Sequence, residues 1–158
     1  MSNDMIMVRS ASDYTVVVNI PELPLHRVWQ KKGAKYPFER KVLMQAYYDP
    51  AVSALFEMGA LVTDDEEFLV EVGLKEAEGE VRVIELTDTL KNRMIKLMPL
   101  IEVEREIKKL TPTQIEELVN YAILHYTEMA MDRVDLFSKA SGKNVMGAIT
   151  NYRKSLED

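Results

Sequence analysis

The spacing of apolar residues changes near the middle of the chain. In the first half, short β-branched or apolar runs bounded by Pro and Gly predict strands at residues 14–20, 68–72 and 81–84, and a short strand or a strap at residues 25–30. In the second half, apolar residues recur every three or four positions, as in helices with one buried face. The pattern predicts an α+β fold, a mostly helical single unit with a small antiparallel sheet formed by the N-terminal half.

Capping residues predict where the helices of the first half begin and end. Pro37 suits the first turn of a helix, and the apolar residues that follow it have roughly helical spacing. Asp49 is expected to cap a second helix that begins at Pro50 and ends at Gly59.

The second half contains the clearest local pattern in the chain. Thr111, Pro112 and Gln114 provide an N-cap, a proline at the first helical position and the glutamine of a capping box. The helix that follows is expected to carry an apolar stripe: Ile115, Leu118, Val119, Ala122, Ile123, Tyr126 and Met129. Other helices are expected to start at Thr87 or Asp88, at Pro99, before Val134 and near Lys143.

Three parts of the chain follow from these patterns. Residues 1–12 are expected to be a flexible N-terminal segment, because Ser and Asn interrupt their apolar residues. Residues 13–86 form the mixed strand and helix part with a basic loop, and residues 87–158 form a helical part packed on it. A two-stranded sheet is barely stable alone, so the sheet needs the helices.

Composition excludes several classes of function. The chain has 158 residues, 47% of them hydrophobic and 29% charged, and no Cys. Disulfides, thiolate metal sites and cysteine nucleophiles are therefore excluded. No apolar run approaches the roughly 20 residues that cross a bilayer, and residues 1–7 lack the basic start and apolar core of a signal peptide. We expect a protein that stays in the compartment where it is made.

Charge is sorted along the chain, which has a net charge of -6. Between His26 and Lys41, only Glu39 opposes six basic residues: Arg27, Lys31, Lys32, Lys35, Arg40 and Lys41. Between Asp64 and Glu80, only Lys75 opposes eight carboxylates: Asp64, Asp65, Glu66, Glu67, Glu71, Glu76, Glu78 and Glu80. We call these the basic stretch and the acidic stretch. Such separation favours binding to a partner.

No motif identifies an enzyme, a cofactor or a metal. Ser141-Gly142-Lys143 resembles the end of a phosphate-binding loop, but Phe137 stands where that loop needs a glycine, so a helix stop is favoured. His125 near Glu128 fits a half-buried residue better than a base or metal ligand. Residues 64–67 lack the alternation of a calcium loop and favour a solvated turn. We expect no catalytic residues, no cofactor and no small-molecule substrate.

Two kinds of partner fit the basic stretch. Its lysines and arginines suit phosphates, and Trp29 or its neighbouring aromatics could stack on bases. Against nucleic acid stand the acidic composition and the lack of a recognition motif. Complementary stretches in one chain instead favour protein docking, with another copy or another protein. The candidate partner-binding residues are Arg27, Trp29, Lys31, Lys32, Lys35, Arg40, Lys41, Asp64, Asp65, Glu66 and Glu67.

Part of the chain resembles short uncharacterised proteins encoded by tailed bacteriophages. The similarity lies in an aromatic and Lys-Gly turn (Trp29 to Lys35), a Tyr48-Asp49-Pro50 helix start and a Leu55-Phe56 helix ending in Gly59. The pattern covers a third to a half of the chain, and no catalytic residues accompany it. The resemblance implies a phage origin and a setting in the host cytoplasm or the virion.

These observations predict a non-enzymatic, protein-binding subunit, a bacteriophage structural or assembly protein that docks through complementary basic and acidic surfaces. The alternative is a small nucleic-acid-binding regulator or host-takeover factor that uses the same basic and aromatic loop. We expect that reversing Lys31, Lys32 and Lys35 to Glu weakens assembly, as high salt does.

Overall fold

The computed structural model describes residues 4–23, 25–125 and 129–157. The chain folds as two compact units, of which the first ends at Glu85 and the second begins at Leu86. The strands are antiparallel and lie in the N-terminal half, while helices dominate the remainder, which confirms the predicted α+β class. Among the described residues, no helix is long and apolar enough to cross a membrane.

Five strands of the first unit form two small sheets. In chain order they are β1 (Met5–Ser10), β2 (Val16–Ile20), β3 (Leu25–Trp29), β4 (Lys35–Glu39) and β5 (Leu61–Val62). The larger sheet has the order β4-β1-β5, and β2 pairs with β3 in a separate ribbon. Both sheets are antiparallel. The strands predicted at residues 14–20 and 25–30 are thus present, each slightly shorter than predicted.

The N-terminal segment was expected to be flexible, but its described part includes the central strand of the larger sheet. Ile6 and Val8 of β1 are almost fully buried, while Met5 and Met7 are exposed on the opposite face. This alternation is what a strand with one buried face requires. The prediction for residues 1–12 was therefore wrong for β1, and residues 1–3 lie outside the described part.

The described residues of the first unit also form three helices: α1 (Arg40–Tyr47), α2 (Pro50–Glu57) and α3 (Glu66–Glu71). Asp49 caps α2 as predicted, because its carboxylate accepts a hydrogen bond from Ala51 N–H at 2.9 Å. Gly59 follows α2 with a φ of 85°, a conformation that favours glycine. Pro37, predicted to open a helix, lies inside β4 instead, and α1 begins only at Arg40.

The two later strands predicted for the first half are absent from the structure. Residues 68–72 fall largely in α3, where Asp65 accepts a hydrogen bond from Phe68 N–H at 2.9 Å and so caps the helix. Residues 81–84 form only a single bridge, between Lys75 and Val81. In the run at residues 68–72, Phe68 and Leu69 form the buried side of α3, while Val70 is exposed.

Aromatic rings organise the core of the first unit. Trp29 stacks on Phe38 with their centroids 5.9 Å apart, so the β2–β3 ribbon packs on the larger sheet. Tyr47, Phe56 and Phe68 form a second group with centroids 5.7 to 5.8 Å apart. Burial there raises the pKa of the Tyr47 phenol.

All the regular secondary structure among the described residues of the second unit is helical. Its elements are α4 (Asp88–Asn92), a π-helical turn (Arg93–Leu97), α5 (Leu100–Ile107), α6 (Pro112–His125), α7 (Met131–Ser141) and α8 (Val145–Glu157). Thr87 caps α4 by accepting from Leu90 N–H at 3.1 Å. Arg133 donates hydrogen bonds to the carbonyls of Met94, at 2.7 Å, and Met98, which satisfies backbone groups of the π-helical turn.

The capping box predicted for α6 is confirmed in both directions. Gln114 N–H donates to the Thr111 hydroxyl at 3.2 Å, and Thr111 N–H donates to the Gln114 side-chain oxygen at 3.0 Å. Leu118, Val119 and Ala122 of the predicted stripe are buried. Tyr126 lies outside the described residues, and Met129, expected on the same helix, is not helical.

Candidate docking surface

Arg40 joins the basic stretch to the acidic stretch within one molecule. Its guanidinium donates two hydrogen bonds to the Asp65 carboxylate, at 3.0 and 2.7 Å, and one to Asp4 at 2.7 Å. The hydrogen bonds from Arg40 hold the pKa of Asp65 below its usual range. Glu67 lies 4.0 Å from the same guanidinium. Arg40 and Asp65 are thus engaged with each other rather than offered to a partner.

Arg9 forms a second network, which the sequence analysis missed. It binds Asp64 at 2.8 and 3.1 Å and Glu85 at 2.6 and 3.2 Å. Glu85 and then Asp64 raise the pKa of the Arg9 guanidinium. Arg9 was missed because it lies in the segment that was expected to be flexible. The alternation of Ile6 and Val8 was the pattern that indicated a strand there.

Two more residues of the basic stretch have contacts within the first unit. Lys32 forms an ion pair with Asp13 at 2.5 Å. The Arg27 guanidinium lies 5.7 Å from the centroid of the Phe38 ring and donates a hydrogen bond to the His26 carbonyl at 2.8 Å. Lys32 and Arg27 are therefore less available for docking than the sequence suggested.

Trp29 is the one predicted docking residue that lies in the core. It is 1% exposed, and its indole N–H donates to the Val8 carbonyl at 3.1 Å. Phe38 is also buried, and the half-buried Tyr36 donates its hydroxyl hydrogen to the Val28 carbonyl at 3.0 Å. The prediction that Trp29 presents its ring to a partner therefore does not fit the structure. The aromatic residues of the basic stretch stabilise the fold instead.

Three lysines of the basic stretch keep their charge exposed. Lys31 lies in the turn before β4, Lys35 begins β4, and Lys41 lies in the first turn of α1. Within the described residues, these three ammonium groups form no ion pair. They are the part of the basic stretch that remains available to an acidic partner.

The acidic stretch keeps two exposed groups of carboxylates. Glu66 and Glu67 lie in the first turn of α3, where negative charge interacts favourably with the helix dipole. Glu76, Glu78 and Glu80 are exposed in the loop that follows Gly73. We call these last three residues the acidic loop.

Beside the lysines, the outer face of the larger sheet exposes apolar side chains. Met5 and Met7 are 48% and 47% exposed, and Pro37, the partner of Met7 in the β1–β4 register, is also exposed. Two depressions of about 320 and 430 Å³ adjoin Met5, with Lys35 lining the first and Lys41 the second. Lys35 and Lys41 thus border an apolar patch.

Other candidate sites have structural roles. Gly142 ends α7 with a φ of 73°, and Asn144 accepts from Gly147 N–H at 3.0 Å, so Ser141-Gly142-Lys143 is a helix stop as predicted. His125 was expected to be half-buried, but it is exposed at the end of α6, where its ring contacts the Tyr121 ring with centroids 4.3 Å apart. Across the residues that the structure describes, no cluster of three metal-ligating side chains is present.

No protein-family model, curated protein or solved structure matches this chain. The candidate surface must therefore be judged from its own geometry and charge.

Proposed function

We propose that the protein is a non-enzymatic, self-associating subunit of a bacteriophage particle or of its assembly, acting in the host cytoplasm or the virion. Its docking joins the exposed lysines of one copy to the acidic loop of another copy or of a second phage protein. The observation that supports the proposal is the set of lysines left without ion pairs within the described residues: Lys31, Lys35 and Lys41.

The ion pairs within the first unit leave only some charged residues of the two stretches available for docking. Arginine binds carboxylates through a rigid fork and suits fixed pairs, whereas exposed lysine is a mobile point charge. In this chain, Arg9 and Arg40 are bound to carboxylates, while Lys31, Lys35 and Lys41 remain exposed. The arginines therefore stabilise the fold, and the lysines are the charges that attract a partner.

Contact between two unlike surfaces has a consequence for assembly. When the basic surface of one copy binds the acidic surface of a second copy, the first copy keeps a free acidic surface and the second keeps a free basic surface. Further copies therefore add until a ring or filament forms. That behaviour suits a structural or assembly component. The phage setting comes from the resemblance at Trp29 to Gly59, where Asp49 and Gly59 act as helix cap and helix stop.

Charge reversal at two lysines tests the proposal. Each exposed charge contributes up to about 1 kcal/mol to association. The double variant Lys31→Glu/Lys41→Glu should therefore associate about ten-fold more weakly than the wild type at low salt, measured by sedimentation velocity. The matched control is Lys96→Glu/Lys108→Glu, which makes the same charge change at exposed positions of the second unit. Equal association of the two double variants would contradict the proposal.

The exposed lysines also keep nucleic acid as a second candidate partner. Phosphates would bind the same three ammonium groups, with an affinity that falls steeply as salt increases. Base stacking would need exposed aromatic rings, whereas Trp29 and Phe38 are buried. We expect no retarded band in a mobility-shift assay with single- or double-stranded DNA or RNA. A band that disappears in Lys31→Glu/Lys41→Glu would favour the nucleic-acid alternative.

A further inference from the structure

The outer face of the larger sheet carries three rows of paired residues. The register of β1 with β4 aligns Met5 with Glu39, Met7 with Pro37, and Arg9 with Lys35. Side chains of such pairs lie on one face of the sheet, about 5 Å apart, and successive rows are about 7 Å apart along the strands. We call this surface the sheet face.

The centre of the sheet face is apolar and exposed. Met5 and Met7 expose nearly half of their surface, and Pro37 is exposed beside them. An apolar centre bordered by charged side chains is typical of a protein interface. Methionine side chains are flexible and adapt to an opposing surface.

The free edge of β4 is protected against pairing with another strand. Arg40 N–H donates to the Asp4 carbonyl at 3.0 Å, and Ser10 N–H donates to the Ala34 carbonyl at 2.9 Å. The backbone N–H and C=O groups of the even-numbered residues between 34 and 40 therefore form hydrogen bonds with β1. The backbone groups of Pro37 are directed away from β1. Proline has no N–H to donate there, so a partner strand would lack its central hydrogen bond. Docking is therefore favoured at the face of the sheet rather than at its edge.

Two charges on the sheet face, those of Lys35 and Glu39, are arranged in a self-complementary way, while the third, that of Arg9, is already bound by carboxylates of its own chain. Lys35 and Glu39 lie at opposite ends of β4 on the same face, about 13 Å apart, with Pro37 midway between them. A two-fold axis can lie above the Met7 and Pro37 row, parallel to the plane of the sheet and perpendicular to its strands. Rotation by 180° about this axis exchanges the two ends of β4. Each Lys35 then faces Glu39 of the second copy, and each Met7 faces its counterpart.

We propose that two copies of this chain pack sheet face against sheet face about this two-fold axis, with methionine contacts at the centre and two Lys35–Glu39 ion pairs at the ends. Packed sheets lie about 10 Å apart, a gap that a lysine and a glutamate side chain span together. Isologous dimers are the commonest protein oligomers. This inference goes beyond the proposed function, because it adds a second interface between copies that uses Lys35 and leaves Lys31 and Lys41 for the acidic loop.

Three variants test the dimer by sedimentation equilibrium at low salt, each made in the Lys31→Glu/Lys41→Glu background, which weakens docking to the acidic loop without screening the Lys35–Glu39 pairs. Lys35→Glu and Glu39→Lys should each weaken the dimer about ten-fold, because two attractive pairs become repulsive. The swap Lys35→Glu/Glu39→Lys should restore the wild-type dissociation constant within about three-fold. An equimolar mixture of the two single variants should also dimerise, since both cross pairs in that heterodimer are opposite in charge.

A substitution at the centre of the interface tests the dimer without changing the Lys35–Glu39 ion pairs. Met7→Lys places two like charges against each other on the axis and should abolish the dimer, while circular dichroism and the unfolding midpoint remain those of the wild type. A wild-type protein that is monomeric at about 0.1 mM would overturn the inference. So would a swap variant as weak as the single variants.

The outcomes separate this inference from the proposed function. Lys31 and Lys41 are not part of the paired rows, so their reversal should leave the dimer intact and reduce only larger species. If the swap fails while Lys31→Glu/Lys41→Glu still loses larger species, the dimer is wrong and the proposed function remains.

Discussion

Arg40 donates two hydrogen bonds to Asp65, at 3.0 and 2.7 Å, and so connects the start of α1 to the N-cap of α3. The two residues come from the stretches of opposite charge that make the sequence appear polarised. Their pairing shows that part of the sorted charge is used inside the first unit. Much of the charge that remains exposed in the two stretches belongs to three lysines, to the glutamates of α3 and to the acidic loop.

Replacement of Arg40 by Met should destabilise the first unit. The guanidinium binds both Asp65 and Asp4, and its side chain is only 17% exposed. Loss of these charged hydrogen bonds should lower the free energy of unfolding by about 1–3 kcal/mol, measured by urea titration. Lys41→Met at the next position is the control and should change it by less than about 0.5 kcal/mol. Equal effects at both positions would show that the network does not stabilise the fold.

The stability that Asp65 contributes should depend on pH. Its pKa is lower in the folded protein than in the unfolded chain, first because of the hydrogen bonds from Arg40. The unfolded chain therefore binds more protons as the pH falls below about 4, and the stabilisation is present above that pH and lost below it. The difference in unfolding free energy between wild type and Asp65→Asn should shrink from about pH 6 to pH 2.5. A difference that stays constant over that range would contradict the assignment.

Trp29 should behave as a core residue in spectroscopy and in mutagenesis. It is the only tryptophan in the chain, so the fluorescence reports this site alone. Because the ring is 1% exposed, its emission should be blue-shifted and weakly quenched by acrylamide. Trp29→Ala should cost about 3–5 kcal/mol of stability. Emission typical of an exposed tryptophan would restore the prediction that this ring meets a partner.

Lys91 should contribute to stability mainly through its aliphatic stem and its position over Tyr121. Its side chain is 0% exposed, and its ammonium lies 4.9 Å from the centroid of the Tyr121 ring and 3.5 Å from Asp88. Lys91→Ala should cost about 2–4 kcal/mol, since it leaves a cavity among packed helices. Lys91→Met keeps most of the volume and should cost less, measured by thermal unfolding. A larger loss in the Met variant would show that the charge matters more than the packing.

Local capping chemistry could be predicted from the sequence. The capping box of Thr111 and Gln114 and the Asp49 cap need only residues within a few positions of each other, and both are present in the structure. Residues 68–72 were predicted as a strand because short apolar runs have no distinct periodicity. Asp65 followed by two glutamates is a helix start, and it was the better guide to this segment.

Long-range pairing limited what could be predicted about the sheet and the candidate surface. β1 pairs with strands about 30 and 50 positions away, and nothing near Met5 indicates either partner. The Arg9 to Asp64 ion pair joins residues 55 positions apart. The sequence therefore shows which segments carry opposite charge. It does not show which of these charges form ion pairs with each other once the first unit folds.

Light scattering of the purified wild-type chain at about 0.05 M and about 0.5 M salt tests the central claim most directly, since exposed charges are strongly screened at the higher concentration. One chain has a mass of 18.1 kDa. The account predicts species of several chains at low salt that fall to one or two chains at high salt. A mass of 18.1 kDa under both conditions would contradict it.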